Sequence, residues 1–150
     1  MEADPKVKHP TIETPGEGGT RILVVDDVAV NRELLKRWLV RRGFAITEVD
    51  NGQEAIRIGE EGATDLILLD IMMPTLSGTE VVKAIRRTRP KSELPIVMVS
   101  AKSFSDDVEE SLNLGANAYI TKPVDFKQLL GVIEEQMEMK RAADGAMGPD

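Results

Sequence analysis

Short apolar runs alternate along this chain with longer segments in which apolar positions recur every three or four residues. Ile22–Val25, Leu66–Leu69, Ile96–Val99 and Ala118–Ile120 are free of charge and mostly aliphatic, the pattern of strands covered on both faces. Phe44–Val49 alternates polar with apolar residues, which predicts a strand at a sheet edge. The intervening segments have the helical period. Val30, Leu34, Trp38 and Arg41 fall on one face with Leu35 beside them; Val81, Val82 and Ile85 form a second stripe, Val108 and Leu112 a third, and Leu129, Leu130, Ile133 and Met137 a fourth. Start and stop signals agree: Ser77 with Glu80 makes a capping box, Asp125 with Gln128 a variant of one, and Gly115 suits a helix C-terminus. The order reads strand then helix, five times over. That predicts an α/β fold, a doubly wound five-stranded parallel sheet of strand order 2-1-3-4-5 with helices on both faces.

Composition narrows the picture. Residues 1–20 and 142–150 are polar and rich in small residues, so both are expected to be flexible, leaving one ordered domain over 21–141. Apolar residues make up 41% of the chain and aromatics only 3%, so the core must be aliphatic. There are no cysteines, which excludes disulfides, thiolate metal sites and cysteine nucleophiles and fits a cytoplasmic setting. No run approaches the roughly 20 apolar residues that span a bilayer, so no membrane partner is expected. A net charge of −7 disfavours binding to nucleic acid by this domain.

The candidate chemistry sits immediately after strands. Asp26 and Asp27 follow the first, Asp70 the third, Ser100 the fourth, and Lys122–Pro123 the fifth. In a doubly wound sheet, ligands bind beyond the carboxyl ends of the strands, at the point where the strand order reverses. The first and third strands are then neighbours, so the three aspartates share one acidic pocket with Ser100 and Lys122 on its far side. Carboxylates this close repel unless a cation neutralises them, and a site of oxygen donors without His or Cys suits magnesium, with manganese as a substitute. Taken singly, an Asp pair caps a turn, Lys-Pro is a loop, Ser100 caps a helix and Tyr119 is a half-buried aromatic; their joint placement favours a site.

These residues resemble a known family. LVVDD at 23–27, LILLDIMMP at 66–74, VMVSA at 97–101 and YITKP at 119–123 are similar to the motifs of two-component response-regulator receiver domains, over essentially all of residues 21–139. The resemblance implies the flavodoxin-like receiver fold, with Asp70 as phosphoacceptor. It implies that Asp27 binds magnesium directly, Asp26 through water, and Met72 through its backbone carbonyl. It further implies that Ser100 and Lys122 contact the phosphoryl group, that Ser100 and Tyr119 form the switch, and that the bond before Pro123 is cis. The implied partners are a sensor histidine kinase or histidine phosphotransfer protein as donor, and an effector domain or downstream protein as output. A phosphorylation-dependent homodimer is left open. Met72 and Lys102, two positions beyond Asp70 and Ser100, line the pocket mouth in receivers. Neither can orient an attacking water, so slow self-dephosphorylation is expected.

Other readings fare worse. An aspartyl-phosphate hydrolase needs a second acid two residues after the nucleophile, where this chain has Met72. A flavin carrier needs a phosphate loop after the first strand, where Asp26 and Asp27 repel phosphate. No G-x-x-x-x-G-K-[ST] pattern exists for a nucleotide. The rival is a pseudo-receiver acting as a phosphorylation-independent scaffold. The basic cluster Arg32, Lys36, Arg37, Arg41 and Arg42 is read as a solvated helix face, and His9, in the N-terminal tail, is assigned nothing.

Overall fold

A computed structural model describes residues 19–102 and 104–147, with side chains as far as Asp144. Strands β1 (Arg21–Val25), β2 (Ala45–Val49), β3 (Leu66–Leu69), β4 (Ile96–Ser100) and β5 (Ala118–Thr121) alternate with helices α1 (Ala29–Val40), α2 (Gly52–Glu61), α3 (Gly78–Arg86), α4 (Ser105–Leu114) and α5 (Phe126–Met147). All strand pairs are parallel, in the order β2-β1-β3-β4-β5. The uncharged β3 and β4 lie inside the sheet, while the equally uncharged β5 forms one edge. Every residue of β3 and β4 is buried, whereas β2 and β5 at the two edges are partly exposed.

Alternate side chains of each strand feed two cores. Leu23, Val25, Ile67, Leu69, Ile96 and Met98 pack with Ala55 of α2 and Val81, Val82 and Ile85 of α3. Ile22, Val24, Leu66, Leu68, Val97 and Val99 pack with Leu35 and Leu39 of α1 and with Leu129, Ile133 and Met137 of α5. Each fully buried Leu or Ile contributes about 1.5–3 kcal/mol. A one-residue slip of any strand would exchange its two faces, so the register is firmly set. That register fixes which residues emerge at each end of the sheet.

Three local expectations are corrected. The inward face of α1 carries Leu35 and Leu39, while Val30 and Leu34 are 63% and 54% exposed. This helix is apolar on most of its circumference, so periodicity could not fix its rotation and packing against β1 and β2 did. In α4, Val108 is half-buried and Leu112 exposed; the one buried residue is Ser111. Finally, α5 continues to Met147, past the expected boundary at Arg141, because Ala142, Ala143 and Ala146 propagate a helix that a single Gly145 does not stop. Of the two expected tails, residues 1–18 and 148–150 lie outside the described residues.

The expected caps are present. Ser77 and Glu80 exchange side-chain and backbone bonds at the start of α3, Asp125 accepts from the Gln128 amide, and Gly115 ends α4 at φ +122°. Trp38 of α1 packs on Phe126 at the start of α5, ring centroids 4.8 Å apart, and the Arg42 guanidinium lies 3.9 Å from the Trp38 ring centroid.

At the N-terminal rim of the sheet, the polar groups are paired. Asp65 accepts from the Arg21 guanidinium at 2.9 and 3.2 Å and lies 3.7 Å from the Lys140 ammonium. Burial alone would raise the Asp65 carboxyl, but the Arg21 bonds and the fields of Arg21 and Lys140 outweigh it and hold it below its ordinary range. Nearby, Arg86 donates to the carbonyls of Gly115 and Arg89 and to Asn117 Oδ1, all within 2.9 Å. Asn117 also accepts from the Ile96 amide and donates to Gln136 of α5. Burial pulls Arg86 down to about 10, so it remains a cation at neutral pH, set against the carbonyl ends of α3 and α4.

Candidate phosphoacceptor and metal site

At the opposite rim, the ends of β1 and β3 bring Asp26, Asp27 and Asp70 together. Carboxylate oxygens of the three lie within 4.8 Å of one another. Asp26 and Asp70 are 2% and 6% exposed, while Asp27 is more open to solvent. Lys122, just after β5, places its ammonium 2.9 Å from Asp26 Oδ2 and 3.5 Å from Asp70 Oδ2. The peptide bond from Lys122 to Pro123 is cis.

Three carboxylates thus face one ammonium. Burial pushes the Asp70 carboxyl above its ordinary range; Lys122 and the Met72 amide oppose this and the charge of Asp26 adds to it. Burial lowers Lys122, yet its hydrogen bond to Asp26 and the fields of Asp70 and Asp26 together carry it above its ordinary value. Lys122 stays charged, and net negative charge remains. Oxygen donors in this arrangement, two of them buried, have the chemistry a hard divalent cation requires.

Backbone groups aim Asp70. The Met72 amide donates to Asp70 Oδ1 at 3.2 Å, and the Asp70 amide donates to the Val25 carbonyl at 3.0 Å. The loop from Asp70 into α3 turns tightly, with Thr75 at φ +70° between a Leu76 amide and a Pro74 carbonyl 2.7 Å apart. It closes where Gly78 meets the backbone of Asp70 itself: a Cβ there would lie 2.3 Å from the Asp70 carbonyl oxygen. Only glycine permits that approach.

Ser100 is fully buried at the end of β4, and its Oγ accepts from the Lys102 amide at 3.2 Å. Tyr119, half-buried on β5, donates its hydroxyl to the Lys102 carbonyl at 2.7 Å. Both hydroxyls therefore converge on one residue of the β4–α4 loop. Burial holds the Tyr119 phenol above its ordinary range, against a lowering influence of Ser100. Met72, 56% exposed, and Lys102 line one open cleft of about 430 Å³ together with Met73, Pro74 and Ser77.

Sequence reasoning missed three contributors. Asn31 donates to Asp26 Oδ2 at 3.3 Å. Arg32, read as part of a solvated face, is instead largely buried, 18% of its side chain exposed, and donates to the Asp26 carbonyl at 2.8 Å; Arg37, Arg41 and Arg42 are on the surface. Gly78 is the third. A Gly directly after the capping Ser77 is the one signal that could have marked it.

Residues 22–134 match the family model of the response regulator receiver domain. Among curated relatives, the chain is 40% identical to the transcriptional regulatory protein ResD of Bacillus subtilis, over 83% of this chain and 50% of that protein. The chain spans about half the length of the first such relatives it matches. Two solved structures are similar. One is the receiver domain of the sensor histidine kinase PA1611 of Pseudomonas aeruginosa, with a magnesium ion in its active-site cleft: 30% identity, TM-score 0.73, covering 81% of this chain and 99% of that one. The other is the response regulator TrrA of Thermotoga maritima in complex with magnesium and BeF: 37% identity, TM-score 0.69, covering 78% and 98%.

Proposed function

Because this chain belongs to the response regulator receiver domain family, we propose that it is a phosphorylatable switch that accepts a phosphoryl group on Asp70 from a phosphohistidine donor, with magnesium held by Asp26, Asp27, Asp70 and the Met72 carbonyl. The observation that carries this reading is the meeting of three carboxylates and one lysine at the C-terminal rim, from ends of three separate strands. The chemistry supplied by bound magnesium, or manganese in its place, is neutralisation of the charge that keeps a carboxylate from approaching a phosphoryl group. In the transfer, an Asp70 oxygen forms the new bond to phosphorus as the bond from phosphorus to the donor's imidazole nitrogen breaks. The Met72 amide holds Asp70 Oδ1, and Lys122, beside Oδ2, stands ready to take a phosphoryl oxygen.

The output begins at Ser100. Its Oγ accepts from the Lys102 amide, which leaves its own proton free to donate to a phosphoryl oxygen. Drawing Ser100 towards Asp70 pulls on Lys102, whose carbonyl is tied to Tyr119. The shift therefore passes to the surface of α4, β5 and α5, where an effector domain or downstream protein reads it, as a change in the populations of two states. The donor, a sensor histidine kinase or phosphotransfer protein, fits the groove of about 530 Å³ beside Lys122, lined by Leu34, Pro123, Val124 and Phe126. The exposure of Leu34 in its lining supports that placement. The setting is the cytoplasm, where such donors present their phosphohistidine.

The test is direct. Acetyl phosphate with magnesium adds one phosphate to the wild-type mass and none to Asp70→Asn; labelling that survives the substitution refutes the assignment. A finer expectation concerns lifetime. With Met72 and Lys102 at the cleft and no acid or amide among those two, release of phosphate from the loaded protein takes many minutes or longer; a release assay complete in seconds contradicts this.

A further inference from the structure

The loop between β1 and α1 carries two of the three clustered carboxylates, and they are held unequally. Asp26 is constrained at every polar atom. Its amide donates to the Val49 carbonyl at 3.3 Å, its Oδ1 accepts from the Val28 amide at 2.9 Å, its Oδ2 accepts from Lys122 and Asn31, and its carbonyl accepts from Arg32 Nη1 at 2.8 Å. Among the described residues, the Asp27 carboxylate accepts no hydrogen bond. Its direction is therefore set by the backbone, and the nearest backbone constraint is the peptide plane that contains the Asp26 carbonyl and the Asp27 amide.

Arg32 holds that plane. Its Nε donates to Glu48 Oε1 on β2 at 3.0 Å, and the other oxygen of Glu48 lies 3.5 Å from Lys36, so the guanidinium is aimed from the far side of the loop. Its planar fork spans Glu48 and the Asp26 carbonyl at once, which a lysine ammonium cannot reproduce. We propose that Arg32 is a positioning residue for metal binding: by fixing the peptide plane between Asp26 and Asp27 it aims Asp27 into the carboxylate cluster. The inference rests on the magnesium reading above and adds to it a residue outside the ligand set.

Charge and positioning make opposite predictions. A guanidinium this close to the cluster repels a divalent cation, so its charge alone predicts tighter magnesium binding when it is removed. Loss of a group that orients a ligand predicts weaker binding. The experiment is calorimetric titration of the whole chain with magnesium chloride, for wild type, Arg32→Met and Arg32→Lys, alongside melting in EDTA to read stability without metal. We expect a Kd about ten-fold weaker in Arg32→Met and about three-fold weaker in Arg32→Lys. A Kd in Arg32→Met that is unchanged or tighter overturns the proposal, whatever happens to the melting temperature. If Arg32→Met proves unfolded in EDTA, Arg32→Lys decides: about three-fold weaker supports the assignment, and an unchanged or tighter Kd overturns it. Absence of magnesium binding by the wild type would instead sink the metal reading itself.

Discussion

At the N-terminal rim of the sheet, Asp65 meets two cations and the Arg86 guanidinium has an acceptor on each of its nitrogens; at the C-terminal rim, Asp26, Asp27 and Asp70 share one lysine. The same kinds of residue are used at both ends. At one, the side chains close on one another, and the arrangement ties α3, α4, α5 and β4 together. At the other, negative charge is left over and a buried carboxyl is held above its ordinary range. The difference separates a rim whose charges are paired from one that keeps an excess of negative charge, and it can be broken from either side.

The largest effect should come from the closed rim. Arg86→Met leaves the Gly115 and Arg89 carbonyls without their donor, and should cost about 2–3 kcal/mol in urea unfolding while leaving magnesium affinity unchanged. A loss of affinity would show that the rims are coupled. Next, Asp70→Asn removes one of three mutually repelling charges, so in EDTA at neutral pH it should stabilise the protein by about 1 kcal/mol. A variant less stable than wild type would mean that Lys122 already balances the cluster. The smallest effect belongs to Asp65. Its partly exposed pairing with Arg21 should be worth about 0.5–1 kcal/mol, seen as the loss in Asp65→Asn at pH 7. Because the folded carboxyl is held below its unfolded value, this contribution is present above the ordinary carboxylate range and is lost as pH falls through the folded pKa. The two unfolding curves should converge there.

How much of this could be read in advance varies with the reach of the interactions involved. The strands and their order were legible because β3 and β4, buried on both faces, must be apolar without interruption, and because alternation marks β2 as an edge. The cluster was legible because strand ends in a parallel sheet share one rim, so position along the chain stood in for position in space. The rotation of α1 was not, since apolar residues nearly all round it leave the choice of inward face to its neighbours. Arg32 looked like surface because its partner Glu48 arrives from β2, and Gly78 shows its purpose only when the Asp70 carbonyl lies against it. What escaped was decided by pairs of segments meeting, not by the period of either one.

The stacking of Trp38 on Phe126 has a practical consequence. This indole is the chain's single one, and it rests on the ring that follows the Lys122–Pro123 turn, with an arginine against its face. Its emission therefore watches the seam between the first and last helices from within, so occupancy of the neighbouring cleft can be followed optically in the unmodified protein, without dye or label.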